Sequence, residues 1–175
     1  GLALHYLGKD TYSTAKNDLD AAQALLHQLQ PSVLYVASGR QINDLANGSV
    51  CLALAYNGDT SLAADQARKA NKPYEIAYRI PKEGTLVWQD NLAIPKDAPH
   101  PEAARQFIEF MLRPESVAAL TNTLFFATAN QAATPLVDAA VRNDPDIFPP
   151  ADLRQRLYAD RSMSLKDMRQ RTRLW

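Results

Sequence analysis

The order of helix-period and strand-length segments predicts an α/β fold. Three observations carry the prediction: leucines and alanines spaced three and four apart between Ser13 and Pro31, a continuous apolar run from Ser49 to Ala55 closed by a turn signal, and an alternating segment from Tyr74 to Ile80 that stops at Pro81. Helices and strands that succeed one another along a chain pack as helices against a sheet.

Each element follows from its own residues. Ser13 or Thr14 suits the N-cap of a helix that turns Leu19, Ala22, Leu25, Leu26 and Leu29 to one side and ends before Pro31. Val33 to Val36 is a short apolar run after that proline. Ile42, Leu45 and Ala46 form a brief helix closed by Asn47-Gly48. Ser49 to Ala55, bounded by Gly48 and by Asn57-Gly58-Asp59, suits a strand covered on both faces. Thr60 or Ser61 then caps a helix through Asn71, and Tyr74 to Ile80 alternates as a strand. Leu86 to Ile94 is a further strand segment, closed by Pro95. Pro101 fits the first turn of a helix that carries Ala104, Phe107, Ile108 and Met111 inward, and Pro114 opens another through about Asn122. The proline-spaced remainder reads as short helices and turns, with a basic helix from Ser164 to Leu174.

Composition narrows the class. The 175 residues, 46% hydrophobic and 22% charged, describe a globular protein able to build a core without disulfides or metal. No apolar run approaches the ~20 residues of a membrane helix. Nineteen basic and nineteen acidic side chains cancel, although residues 1–150 carry −4 and residues 151–175 carry +4. A neutral chain is not built for wholesale capture of nucleic acid. The lone Cys51 excludes an internal disulfide and a cysteine-based zinc cluster, and its apolar surroundings predict an inert core thiol. The opening residues, Gly1 to Asp10, resemble neither a signal peptide nor a start at Met, and the chain is expected to begin partway through a longer one.

Enzyme motifs are missing. The six glycines form no phosphate-binding pattern, the three histidines show no metal-ligand spacing, and no Gly-x-Ser-x-Gly elbow is present. What stands out is a pairing of rings with carboxylates where strands end. Tyr56 and Asp59 flank the turn that leaves the 49–55 run, and ligands of α/β sheets bind at the carboxyl ends of strands. Trp88 and Asp90, two apart in an extended segment, face the same way. A carboxylate with a ring face suits an ammonium group, through charge-assisted hydrogen bonds and ~0.5 to 2 kcal/mol of cation–π attraction. The same residues also fit a plain turn with Asp59 as an N-cap and Trp88 filling a core. An acid at Asp90, between apolar neighbours, calls for a partner if it is buried.

Five ordered blocks give a further signal: Gln41 to Gly48 (QINDLANG), Cys51 to Asp59 (CLALAYNGD), Ile80 to Gly84 (IPKEG), Ala129 to Leu136 (ANQAATPL) and Phe148 to Asp152 (FPPAD). In order and spacing they resemble the periplasmic putrescine- and spermidine-binding proteins of bacterial ABC transporters. The resemblance spans nearly all 175 residues and implies the C-terminal half of a type II periplasmic binding protein, two α/β lobes closing on a ligand. It implies residues 1–84 in the second lobe, residues 85–124 as a crossing strand and a returning part of the first lobe, and residues 125–175 packing on the second lobe. Carried over by position, the family's binding tryptophan falls on Tyr56, its cleft aspartate on Asp59, its second ring and acid on Trp88 and Asp90, and a further aromatic on Phe126. Tyr56 offers less ring surface than an indole, and Phe126 has no hydroxyl. The cysteine matching Cys51 pairs, in relatives, with one further upstream.

The resemblance therefore implies a substrate-binding component that captures putrescine or spermidine without chemistry, cofactor or metal. Its partner would be an inner-membrane ABC permease, its place the periplasm after loss of a signal peptide. Another amine, such as 4-aminobutyrate or an amino acid, is the alternative ligand. A hydrolase using Asp59 and Asp90 as acid and base lacks any third group in support. The basic C-terminal stretch, diluted by three aspartates and without stacking rings, is a poor nucleic-acid surface. Apolar edges covered by a missing half predict self-association of the fragment.

Overall fold

The computed structural model describes residues 1–173; Leu174, the expected end of the last helix, lies outside the described residues. Its elements are α1 (Leu2–Tyr6), α2 (Lys16–Leu29), α3 (Gln41–Asn47), α4 (Asn57–Lys69), β1 (Leu86–Val87), α5 (Pro101–Met111), α6 (Pro114–Leu124), α7 (Ala139–Arg142), α8 (Ala151–Arg154), β2 (Tyr158–Ala159) and α9 (Leu165–Thr172), with 3-10 turns at Gln30–Ser32 and Gln131–Leu136. They divide between two compact units. The first comprises residues 1–36, 80–88 and, among those described, 152–173; the second comprises 37–79 and 89–151.

In the first unit, Leu19 and Ala22 of α2, one turn apart, close with Leu4 of α1 into a small buried cluster flanked by Ala3 and Leu7. β1 and β2 pair in parallel, Leu86 opposite Tyr158 and Val87 opposite Ala159. Gly84 makes that approach feasible. It has φ +93°, and a Cβ there would meet the Arg156 carbonyl oxygen at 1.8 Å. Polar contacts fasten the C-terminal stretch. The Tyr12 hydroxyl donates to the Asp160 carboxylate and accepts from the Arg161 backbone N–H at 2.8 Å. The Arg161 guanidinium lies 4.2 Å over the Tyr12 ring and bonds both oxygens of Asp10. From α9, Arg171 donates to the carbonyls of Thr11 and Ser13 at 2.7 and 3.0 Å.

The second unit holds two apolar clusters. Leu45 and Ala46 of α3 pack on Ala63 of α4, with Ile42, Val50, Ala53 and Ile76 around them. Ala118 of α6 packs with Ala133, Val137, Val141 and Ile147, bordered by Val117, Phe125 and Phe148. Ala63, fully buried, allows α3 and α4 to approach closely. α3 ends as its sequence predicts, with Gly48 at φ +84°. The Tyr74 hydroxyl there donates to the Ala46 carbonyl at 2.9 Å.

The helices expected from Leu19, Ile42, Pro101 and Pro114 are all present, the last two with proline in the first turn. Several expectations fail. Among the described residues β1 and β2 form the only ladder, so the runs 33–36, 49–55 and 74–80 are not paired strands, and of the expected strand 86–94 only Leu86–Val87 pairs. A strand exists only where a neighbouring strand takes up its N–H and C=O groups, and among the described residues these runs have only isolated bonds to nearby turns, such as Val50 N–H to the Asp44 carbonyl. The 49–55 run is also not covered on both faces. Leu52 and Leu54 are 88% and 87% exposed, and Cys51 is an exposed free thiol rather than a core residue. Finally, α5 buries no residue fully: Phe107 is exposed, while Ala104, Ile108 and Met111 are half-buried.

Candidate functional site

The site forms where α4 begins. The helix starts at Asn57 with Tyr56 as its N-cap, earlier than a cap at Thr60 or Ser61 allows. Asn57 and Gly58 are weak helix formers, so tertiary contacts set this start. The Asn57 side chain donates to the Phe125 carbonyl at 3.1 Å. Phe125, the C-cap of α6, adopts the left-handed conformation at φ +61°, which turns the chain so that Phe126 meets α4. Gly58 provides the room: a Cβ there would stand 2.5 Å from both the Leu124 carbonyl oxygen and the Phe126 ring. Thr60 and Ser61 do not cap. Their hydroxyls donate back to the carbonyls of Tyr56 and Asn57 at 3.0 and 3.1 Å.

Asp59 is therefore in the first helical turn, half-buried, and it accepts no capping bond from the helix. A carboxylate there is stabilised by the helix dipole. One of its oxygens accepts a hydrogen bond from Gln41 Nε2 at 2.9 Å. Gln41, the first residue of α3, is 8% exposed, and its Oε1 is buried with no hydrogen-bond partner. The alternative amide orientation would oppose carbonyl to carboxylate, two acceptors, so chemistry fixes the assignment. Sequence reasoning missed Gln41. Its signal was a polar residue four before Leu45, and so on the buried face of α3.

Of the five residues expected from the sequence, the second unit thus brings Tyr56, Asp59 and Phe126 to one helix end, with the two rings exposed and the Phe126 ring against Gly58, the residue before Asp59. Asp90 is in the same unit and exposed, with no ion pair among the described residues, so it needs no buried partner. Trp88 belongs to the first unit and is 50% exposed, a half-open surface ring rather than core filling. No group of three or more metal-ligating side chains gathers among the described residues, and none of their helices is long and apolar enough to cross a membrane.

A cavity of about 360 Å³ lies along α4, lined in part by Asp65, Arg68, Tyr78, Asp144 and Asp146. Burial pushes the Asp146 carboxyl and the Tyr78 hydroxyl above their usual pKa ranges, although Arg79 pairs with Asp146 at 2.7 Å. Asp65 there pairs with Arg68, so two of the cavity's three acids are engaged in ion pairs.

Comparison with known proteins identifies the family. The family model for bacterial extracellular solute-binding proteins matches residues 2–149. The putrescine-binding periplasmic protein PotF of Escherichia coli is 43% identical over 173 residues, 98% of this chain and 47% of that protein. SpuD of Pseudomonas aeruginosa, also a putrescine-binding periplasmic protein, is 41% identical over 99% of this chain and 47% of its own length. A solved structure from Listeria monocytogenes, described as a spermidine/putrescine ABC transporter, superposes with TM-score 0.82 at 26% identity, covering 99% of this chain and 52% of that one. The fold is that of the type II periplasmic binding proteins, and the chain spans about half the length of the relatives it matches. By its sequence blocks, its fold and the family match over residues 2–149, this chain belongs to the bacterial extracellular solute-binding protein family.

Proposed function

We propose that this chain is the ligand-receiving half of a periplasmic polyamine-binding protein of an ABC transporter, with Asp59 and Asp90 as acceptors for the ammonium groups of putrescine or spermidine and Tyr56, Trp88 and Phe126 as ring faces. The observation that carries the reading is Asp59. Its carboxylate is held at the start of α4 beside Tyr56 and Phe126, and no helix cap takes up its charge. Two of the relatives named above bind putrescine by name. Binding proceeds without chemistry: ligand favours the closed state of a hinge equilibrium between the lobes that residues 1–84, 85–124 and 125–175 contribute to, and the closed protein docks on its inner-membrane permease.

Calorimetric titration with putrescine, spermidine and 4-aminobutyrate tests this, on the 175-residue chain and on the chain fused to the upstream half of the Escherichia coli relative. Putrescine or spermidine is expected to bind the fusion. Asp59→Asn removes a charged acceptor and weakens binding by at least ~1.5 to 3 kcal/mol. Asp90→Asn weakens the polyamines more than 4-aminobutyrate, which carries a single ammonium. Absence of amine binding in the fusion would overturn the reading.

A further inference from the structure

We propose that Gln41 is a specificity-determining residue of this site: its amide N–H holds Asp59 in place, and its carbonyl oxygen is the second acceptor of an ammonium subsite. The inference rests on the amine reading above and deepens it.

Burying an amide acceptor without a partner is unfavourable, and folded proteins rarely leave one in that state. Gln41 does so while its other end is fully engaged: Nε2 donates to Asp59 at 2.9 Å, and Oε1 is shut away from water with no donor. The position is not a loose surface accident. Ile42, Leu45 and Ala46 of α3 are packed with Ala63 of α4, so the amide is carried to the first turn of α4 by an apolar interface. Two acceptors therefore lie side by side, a carboxylate and an amide carbonyl, one already oriented and the other unused.

The group that complements such a pair has several N–H donors and no acceptor, and a primary ammonium fits that description. Electrostatics agree. The positive end of α4 alone repels a cation, but Asp59 carries a full negative charge against roughly half a positive charge at the helix end, so the turn remains net attractive. As the ammonium enters, it donates one N–H to the Asp59 oxygen that Gln41 leaves open and, with a small shift of the Gln41 side chain, a further N–H to Oε1, while Nε2 keeps its bond to Asp59. A neutral alcohol brings one donor and no charge, and a carboxylate brings no donor, so neither serves both acceptors, which makes Gln41 a filter for amines.

The test separates ligand recognition from packing. Gln41→Met keeps the shape and removes both polar ends. In the fusion protein, putrescine affinity is expected to fall by about tenfold or more, the loss expected when a hydrogen bond to a charged group disappears, while the melting temperature stays level or rises because the unpaired acceptor is gone. In the wild-type fusion, the side-chain amide resonances of Gln41 should shift with putrescine along the same isotherm as the heat. A Gln41→Met protein that melts lower but binds putrescine within twofold of wild type would overturn the proposal, as would Gln41 resonances unmoved at saturation. A wild-type fusion that binds no amine at all would overturn the functional reading and this subsite together.

Discussion

At the scale of single residues, the proposed site depends on a glycine as much as on an acid. Asp59 and Tyr56 were candidates from the sequence because a carboxylate and a ring bracket a turn after an apolar run, and such turns are where α/β folds bind ligands. Gly58, between them, looked like ordinary turn punctuation. The structure gives it a different reason, since its missing side chain is the space that the Leu124 carbonyl and the Phe126 ring occupy. Gly58→Ala must push back either a backbone carbonyl or the ring. It is expected to destabilise the protein by roughly 1–3 kcal/mol, as overpacking does, and to lower amine affinity through displacement of Phe126. Chemical denaturation with a parallel putrescine titration checks both, and a variant as stable as wild type would show that the 124–126 turn yields without cost. Gln41 stayed hidden because a buried glutamine is recognised by what it touches, and its partner lies on another helix.

At the scale of elements, helices were read well and strands were not. A helix satisfies its own backbone, so the spacing of Leu19, Ala22 and Leu45, with prolines at 101 and 114, suffices to find it. α9 is held differently. None of its residues is fully buried, and polar bonds from Arg171 and Gln170 join it to the 11–14 loop. That loop is itself braced by acids. The Tyr12 backbone N–H and then Arg161 hold the Asp10 carboxyl below its usual pKa, and the Ser13 hydroxyl and then Lys9 do the same for Asp18. Carboxyls lowered on folding contribute stability that is present above their unfolded value of about 3.9 and is lost as pH falls through the folded values. Tyr12 has the opposite sign: its hydrogen bond to Asp160 raises its pKa, and that contribution disappears as pH rises through the raised value. Hydrogen exchange is therefore expected to show α9 and the 11–14 loop loosening below about pH 4, before α3 and α4, with no such change from these carboxyls between pH 5 and 7. Uniform acid loosening of both units would assign no special role to the carboxyls of this loop.

At the scale of the whole chain, five ordered blocks made the family legible, whereas composition and periodicity reached only as far as an α/β class. The strand signals failed because they describe half of a bond: an apolar run reports a readiness to pair but not whether a partner is present. Leu52 and Leu54 in the second unit, and Leu34 and Val36 in the first, remain exposed, and consecutive apolar residues with unpaired backbone are a template for association. The chain spans 47% of its Escherichia coli relative, so the remaining length of such a protein is a natural source of the covering segments. Alone, the chain is expected to associate with a second copy and to scatter light with a mass above 19.4 kDa at tens of micromolar, roughly the range in which exposed apolar edges associate. Replacing Leu52 and Leu54 together by Asp should return it toward the monomer with no change in helix content, because both side chains are almost fully exposed and belong to no apolar cluster among the described residues. Adding the upstream half of the relative should do the same by pairing rather than repulsion, and should protect the 49–55 amides from exchange, which the double substitution cannot. A stable 19.4 kDa monomer without either treatment would mean that the two runs are solvated as they stand, and that no upstream half is needed to cover this surface.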